Sequence, residues 1–164
     1  MLSDSQPGGN KTAQQRITVG VDGSIEAHGA LLWAVDHARP GDTVHLLHAW
    51  LSSPVAGLDD GRDDAAAWRL IAREVARARC LIGERPITVS GDVVHGAPGD
   101  RLAEVDSDLV VVGARDRHVL IDALPGSVCR RLLRHSAVPV VVVPDRHRLA
   151  RRRAITVDRV GGAA

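Results

Sequence analysis

Five short runs rich in Val, Ile, Leu and Thr recur along this chain, and a stretch long enough for a helix separates each from the next. The runs are Arg16–Asp22 (RITVGVD), Thr43–Trp50 (TVHLLHAW), Pro86–Val94 (PITVSGDVV), Leu109–Val112 and Val138–Val143. Runs of this length and composition read as strands. The first intervening stretch opens on a Gly23-Ser24 turn, with Ser24 as candidate N-cap. It continues through His37 with Ala27, Leu31, Ala34 and Ala38 at helical spacing. The second predicts a helix over roughly Asp63 to Ile82. Its buried stripe is Trp68, Ile71, Val75 and Ile82, and Arg69, Arg73 and Arg77 form a solvated face. A short helix over Pro98–Val105 and another opening at Ser127 complete the series. Strands alternating with helices imply a parallel sheet covered on both faces. At 164 residues the chain is too short for a barrel of eight such units. The fold class is therefore α/β, a five-stranded parallel doubly wound sheet with a crevice where strand order reverses.

Hydrophobic residues make up 45% of the chain, enough for a packed interior; aromatics are only 2%, so Ala, Val and Leu must fill it. Residues 1–15 are polar and read as a disordered leader. Residues 16–144 form the domain, and 145–164 form a basic tail containing Arg146, Arg148, Arg151, Arg152 and Arg153. Within that tail, Ile155, Thr156 and Val157 could add a short edge strand, and a solvated terminus is expected otherwise. A net charge of +1 provides no strong field to steer nucleic acid, which is not an expected partner. No apolar run is long enough to span a bilayer and no secretory h-region is present, so no membrane association and a cytoplasmic location are expected. Cys80 and Cys129 fall in separate helices without metal-site spacing, and both are expected to be reduced and packed.

Several chemistries are excluded by residues the chain lacks. The single lysine is Lys11, in the polar leader. That removes the phosphoacceptor mechanism of a response-regulator receiver, which needs a lysine ending its fifth strand, and the Gly-Lys-Ser/Thr of a Walker loop. Gly20 and Gly23 do not have the spacing of a dinucleotide fingerprint, and nucleotidyl-transfer signatures are absent. His45 and His48 lie three apart on a strand and face opposite ways. With no HExxH or Cys/His cluster, no metal centre is expected. No nucleophile–base pair stands out, so turnover is not expected.

What remains is Asp108–Pro144, where two apolar strands bracket a loop from Gly113 to Gly126 and a helix opening at Ser127. Backbone N–H groups at a helix start lack intrahelical partners, and the dipole favours negative charge there. Strand, loop and helix start together make an anion cradle. Gly113 and Gly126 leave room for a phosphate against the backbone, and Ser127 can donate from its hydroxyl and its N–H. The alternatives are structural: Ser127 as a helix cap, Asp22 as the residue holding the Gly23 turn, and the glycines as close-packing positions.

The chain resembles the universal stress protein family in three blocks. These are ITVGVDGS (Ile17–Ser24), VVHGAPGDRLAEVDSDLVVVG (Val93–Gly113), and the final stretch with GSV (Gly126–Val128) and PVVVV (Pro139–Val143). The resemblance covers about Arg16 to Pro144 and implies a Rossmann-like sheet of order 3-2-1-4-5. It implies an adenine nucleotide, ATP with or without Mg²⁺, held by Asp22 at the ribose and by backbone near Ala49 at the adenine. Gly113, Arg115, Asp116, Gly126, Ser127 and Val128 would lie around the phosphates. It also implies a homodimer through Val138–Val143, since an apolar edge strand needs covering, and a role as a stress-response signalling or regulatory module.

One residue departs from the family pattern of Gly-x-x-Gly, nine residues, then Gly-Ser or Gly-Thr: Asp116 replaces the second glycine. An Asp tolerates positive φ better than most residues. Its charge is the larger obstacle: like charges about 4 Å apart cost roughly 1 kcal/mol in water and roughly 4 kcal/mol at an effective dielectric of 20, and tenfold in affinity is about 1.4 kcal/mol. Arg115 or Arg117 could neutralise it, Mg²⁺ could bridge it to the phosphates, or it could point to water. Pro125 removes a further N–H donor beside Gly126. Binding weaker than in a member with both glycines is expected. The other reading is a nucleotide-independent homodimeric interaction protein with a degenerate cradle.

Overall fold

The computed structural model describes residues 14–51, 62–114 and 127–144. Its elements in chain order are β1 (Arg16–Gly20), α1 (Ile25–His37), β2 (Thr43–Trp50), α2 (Arg62–Ile82), β3 (Thr88–His95), α3 (Pro98–Ala103), β4 (Leu109–Gly113), α4 (Ser127–His135) and β5 (Val140–Val143). The strands form one five-stranded sheet of order β3-β2-β1-β4-β5, and every pairing is parallel. The chain steps outward from β1 to β3, then crosses back to place β4 on the other side of β1. The reversal therefore lies between β1 and β4, as the strand–helix alternation requires. The leader and tail assigned from sequence lie, apart from residues 14 and 15, outside the described residues.

Strand alternation divides the core in two. Ile17, Val19, Val44, Leu46 and Val111 face α1 and α2, packing on Leu31, Ala34, Ile71 and Ala78. Leu47, Val110 and Val112 face the other way, onto Leu102 of α3 and Cys129 and Leu132 of α4. Both faces are covered, which is why the strands read as near-continuous apolar runs. Ser24 caps α1 as expected, its Oγ accepting from the Ala27 N–H at 3.2 Å.

Several element ends differ from the sequence reading, and the missing N–H of proline accounts for two of them. β1 ends at Gly20 rather than Asp22, although Val21 N–H still donates to Leu47 O at 3.0 Å. β3 begins at Thr88, because Pro86 has no N–H to give the ladder and contributes only its carbonyl, to Gly41. β5 begins at Val140 rather than Val138 for the same reason: Pro139 accepts from Val110 N–H but cannot donate. In addition, α3 stops at Ala103, short of Val105.

The stripe of α2 also needs correction. Trp68 is 52% exposed, and the buried positions are Ala67, Ile71, Glu74, Ala78 and Ile82; Val75 is half-buried against the core. The true stripe thus passes one residue to the side of Trp68 and takes in a carboxylate. Glu74 is 3% exposed and accepts from Arg73 at 3.1 Å and from Arg77 at 2.9 and 3.1 Å. The two arginines are exposed, yet they neutralise a buried acid, a role beyond the solvated face predicted for them. Cys129 is buried as expected, whereas Cys80 is exposed.

A second polar group lies within the β2 interior. His45 is buried, with Nδ1 2.9 Å from Ser90 Oγ and Nε2 3.6 Å from Asp92 Oδ2. Its in-register neighbour on β1 is Thr18, whose buried Oγ1 has no hydrogen-bond partner among the described residues. Burial and the nearby Arg16 hold the His45 pKa below its ordinary value, and Asp92 only partly offsets them. A depressed histidine pKa means that the unfolded chain takes the proton first. Stability is therefore intact above the ordinary histidine value of about 6.5 and falls as pH drops through it toward the folded value. A thermal-melt series from about pH 7.5 to about pH 5 is expected to show a larger loss of Tm for the native chain than for His45→Gln. Parallel losses in the two proteins would contradict this.

Candidate functional site

A cleft of about 550 Å³ opens at the carboxyl ends of β1, β2 and β4, where the strand order reverses. That volume suits a small-molecule ligand. Its apolar wall comes from Leu47 and Ala49 of β2, Val112 of β4 and Leu102 of α3. Gly20 keeps the floor open: a Cβ there would lie 2.8 Å from Leu102 Cδ1 and 3.2 Å from Val112 Cγ1. The polar rim comes from Asp22 and Ser24 before α1, Glu26 in its first turn, and Ser127 at the start of α4.

Five of the residues proposed from sequence converge here: Asp22, Ala49, Gly113, Ser127 and Val128 all line the cleft. Arg115, Asp116 and Gly126 lie outside the described residues. Two of the five also have structural work. Asp22 Oδ1 accepts from the Ser24 N–H at 3.0 Å and from Ser24 Oγ at 2.5 Å, so its carboxylate braces the turn into α1. Gly113 lies against the first turn of that helix. A Cβ at this position would overlap the carbonyl carbon and oxygen of Glu26 and lie 2.8 Å from Ala27 N. The room this glycine provides is thus taken by α1 backbone, one of the structural alternatives raised from sequence.

The start of α4 is supported from below. Cys129 Sγ lies 4.0 Å from Gly113 O, and burial raises its thiol pKa, so it serves as packing under the cradle and not as a nucleophile. On the outer side, Arg131 of α4 pairs with Asp100 of α3. The two helices approach closely at Gly99, where a Cβ would lie 2.7 Å from Arg131 Cβ. The turn into α1 is also tied down, because the His48 Nδ1 lies 2.8 Å from the Val21 carbonyl oxygen.

Among the described residues lining the cleft there are two carboxylates, Asp22 and Glu26, and no Lys, Arg or His. Glu26, Pro98, Leu102 and Cys129 were not anticipated as site residues. Pro98 and Leu102 carry no local signal, since α3 becomes a wall only by packing on α4. Glu26 was accessible to sequence reasoning as a first-turn acid following the Asp22-Gly23-Ser24 turn.

A family model described as the universal stress protein family matches residues 14–144. The chain belongs to the universal stress protein family. It is 30% identical over 147 residues to universal stress protein Rv2005c of Mycobacterium tuberculosis, covering 79% of this chain and 48% of that protein. It is 32% identical over 158 residues to universal stress protein Rv1996 of the same organism, covering 82% and 50%. The chain thus spans about half the length of these curated relatives. Among solved structures, universal stress protein UspA from Lactobacillus plantarum superposes with a TM-score of 0.64 at 20% identity, covering 79% of this chain and 97% of that one. A universal stress protein in complex with cAMP has a TM-score of 0.60 at 24% identity, covering 80% and 98%. A family protein from Arabidopsis thaliana with AMP bound also has a TM-score of 0.60, at 19% identity, covering 79% and 91%. At these identities the structural likeness speaks for the fold. Among the described residues of this universal stress protein, no three His, Cys, Asp or Glu side chains group to hold a metal, and no helix is long and apolar enough to cross a membrane.

Proposed function

We propose that this universal stress protein is a non-catalytic adenine-nucleotide-binding module whose bound nucleotide, ATP with Mg²⁺ among them, alters its shape or partners in a stress response. The observation that carries the reading is the convergence of Asp22, Ala49, Gly113, Ser127 and Val128 on one cleft at the strand reversal. The residues fit such a ligand. Leu47, Ala49, Leu102 and Val112 offer an apolar slot for the base, Asp22 can accept from a ribose hydroxyl, and the start of α4 presents unpaired N–H groups and Ser127 to a phosphate. Two relatives of the same fold carry AMP and cAMP. Calorimetry with millimolar ATP and Mg²⁺ on the folded protein is expected to give saturable heat, and a flat titration would end the proposal.

A second reading, a nucleotide-independent interaction protein, is favoured by the structural work of two cradle residues, Asp22 in its turn and Gly113 against α1. Asp116→Gly separates the two. On the nucleotide-binding reading, removing this negative charge is expected to raise ATP affinity by about tenfold or more. An unchanged measurable affinity means that the carboxylate is tolerated, whereas no binding by either protein favours the second reading. Either reading accommodates a homodimer through β5. This strand lies at the sheet edge with Val140, Val141 and Val142 only half-buried, and an apolar edge invites pairing with a second copy. Light scattering at micromolar concentration is expected to give twice the mass of one chain; a mass equal to one chain would refute the dimer.

A further inference from the structure

We infer that Arg73 of α2 is a positioning residue for the cleft, holding the Asp22-Gly23-Ser24 turn where it selects a ligand whose ribose keeps its hydroxyls. This rests on the nucleotide-binding reading above and concerns the same cleft. Asp22 and Ser24 both line it, and Gly23 between them has a φ of 78°. A glycine in that region brings little rigidity of its own. The bonds from Ser24 to Asp22 shape the turn from within. The other ties already described act on either side of Gly23, His48 on Val21 and the Ser24 cap on Ala27. At Gly23 itself the turn meets α2. A Cβ there would lie 3.3 Å from Leu70 Cδ1 and 3.4 Å from Arg73 Nη2.

The guanidinium of Arg73 is anchored on its other side. Its Nε donates to Glu74 Oε1 at 3.1 Å, and Glu74 is buried. A buried carboxylate keeps its cationic partners, because an unpaired charge in the interior is costly. Arg73 thus rests against the turn from a fixed point on the core. Arg77 shares Glu74, donating at 2.9 and 3.1 Å, but stands one helical turn further along α2. The two arginines are alike in neutralising Glu74 and differ in reaching the turn. Both side chains are exposed, so truncating either one leaves the core filled and Glu74 still paired with the other.

The test is a set of titrations with ATP and with 2′,3′-dideoxy-ATP, both with Mg²⁺, on the native chain, Arg73→Ala and Arg77→Ala. The native chain is expected to prefer ATP by about tenfold, the worth of a hydrogen bond from a hydroxyl to a carboxylate. Arg73→Ala should narrow that preference to about threefold or less, chiefly by weakening ATP, whereas Arg77→Ala should keep it at about tenfold. A general loosening of the fold would weaken both ligands alike and leave the ratio where it was. Should Arg73→Ala bind neither ligand, Arg73→Gln, which retains part of the side chain, provides the same comparison. A ratio unmoved at Arg73, or narrowed equally by Arg77→Ala, overturns this inference and leaves the nucleotide-binding reading standing. So does a native chain that takes the two ligands equally. A native chain that binds neither overturns that reading and this one with it.

Discussion

Gly113→Ala is expected to destabilise this protein by about 1–3 kcal/mol, the cost of inserting a methyl group where the core has no room, and to abolish binding in the cleft. Most small-to-large changes can be eased by rotating a neighbouring side chain. Here the atoms met are Glu26 C and O and Ala27 N, all backbone of the first turn of α1. Relief requires that turn to move away from β4. It would carry with it Glu26, the Ser24 cap and the Asp22 brace, three residues of the cleft rim. Urea unfolding reads the first effect as a lower midpoint at unchanged slope, and nucleotide titration reads the second. A variant with the native midpoint would show that β4 and α1 are not in the contact described.

Leu132→Ala is expected to cost more, about 2–5 kcal/mol, as for other large buried aliphatic residues cut to alanine. Leu132 is 1% exposed and packs with Leu47, Leu102, Val110, Val112 and Cys129. The helix that carries it has nine residues, too few to hold helical structure without tertiary packing. Loss of the Leu132 anchor therefore loosens Ser127 and Val128 on the cleft wall as well as the core. The neighbouring Leu133, 60% exposed, provides the control, with Leu133→Ala expected to stay within about 0.5 kcal/mol. Equal losses at the two positions, measured by chemical denaturation, would contradict this placement of α4.

Much of the fold was legible before any coordinates. Runs such as LVVVG and TVHLLHAW are too apolar for a one-sided sheet and too short for helices, and their alternation with helical segments leaves few arrangements open. The first turn was equally legible, because Asp22, Gly23 and Ser24 act on one another and on Ala27 within a few residues. The α2 stripe was less so. Trp68 is the largest apolar residue of that helix and reads as core, yet the sheet meets the side that carries Ala67, Ile71, Glu74 and Ala78. Burial of Glu74 becomes tolerable only because Arg73 and Arg77 reach it, and a sequence does not state which arginines will.

By itself, the sequence determined the order of strands and helices, the parallel sheet, the turn into α1 and the placing of a cleft where strand order reverses. Those features follow from interactions between near neighbours and from the requirement that apolar runs be covered. The tertiary structure alone decided that Gly113 is reserved for the backbone of α1, that Pro98 and Leu102 form a wall, and that Glu26 joins the lining of the cleft. These follow from contacts between residues far apart in the chain, whose distances are set by how whole helices pack on the sheet and leave no mark on the local pattern of residues.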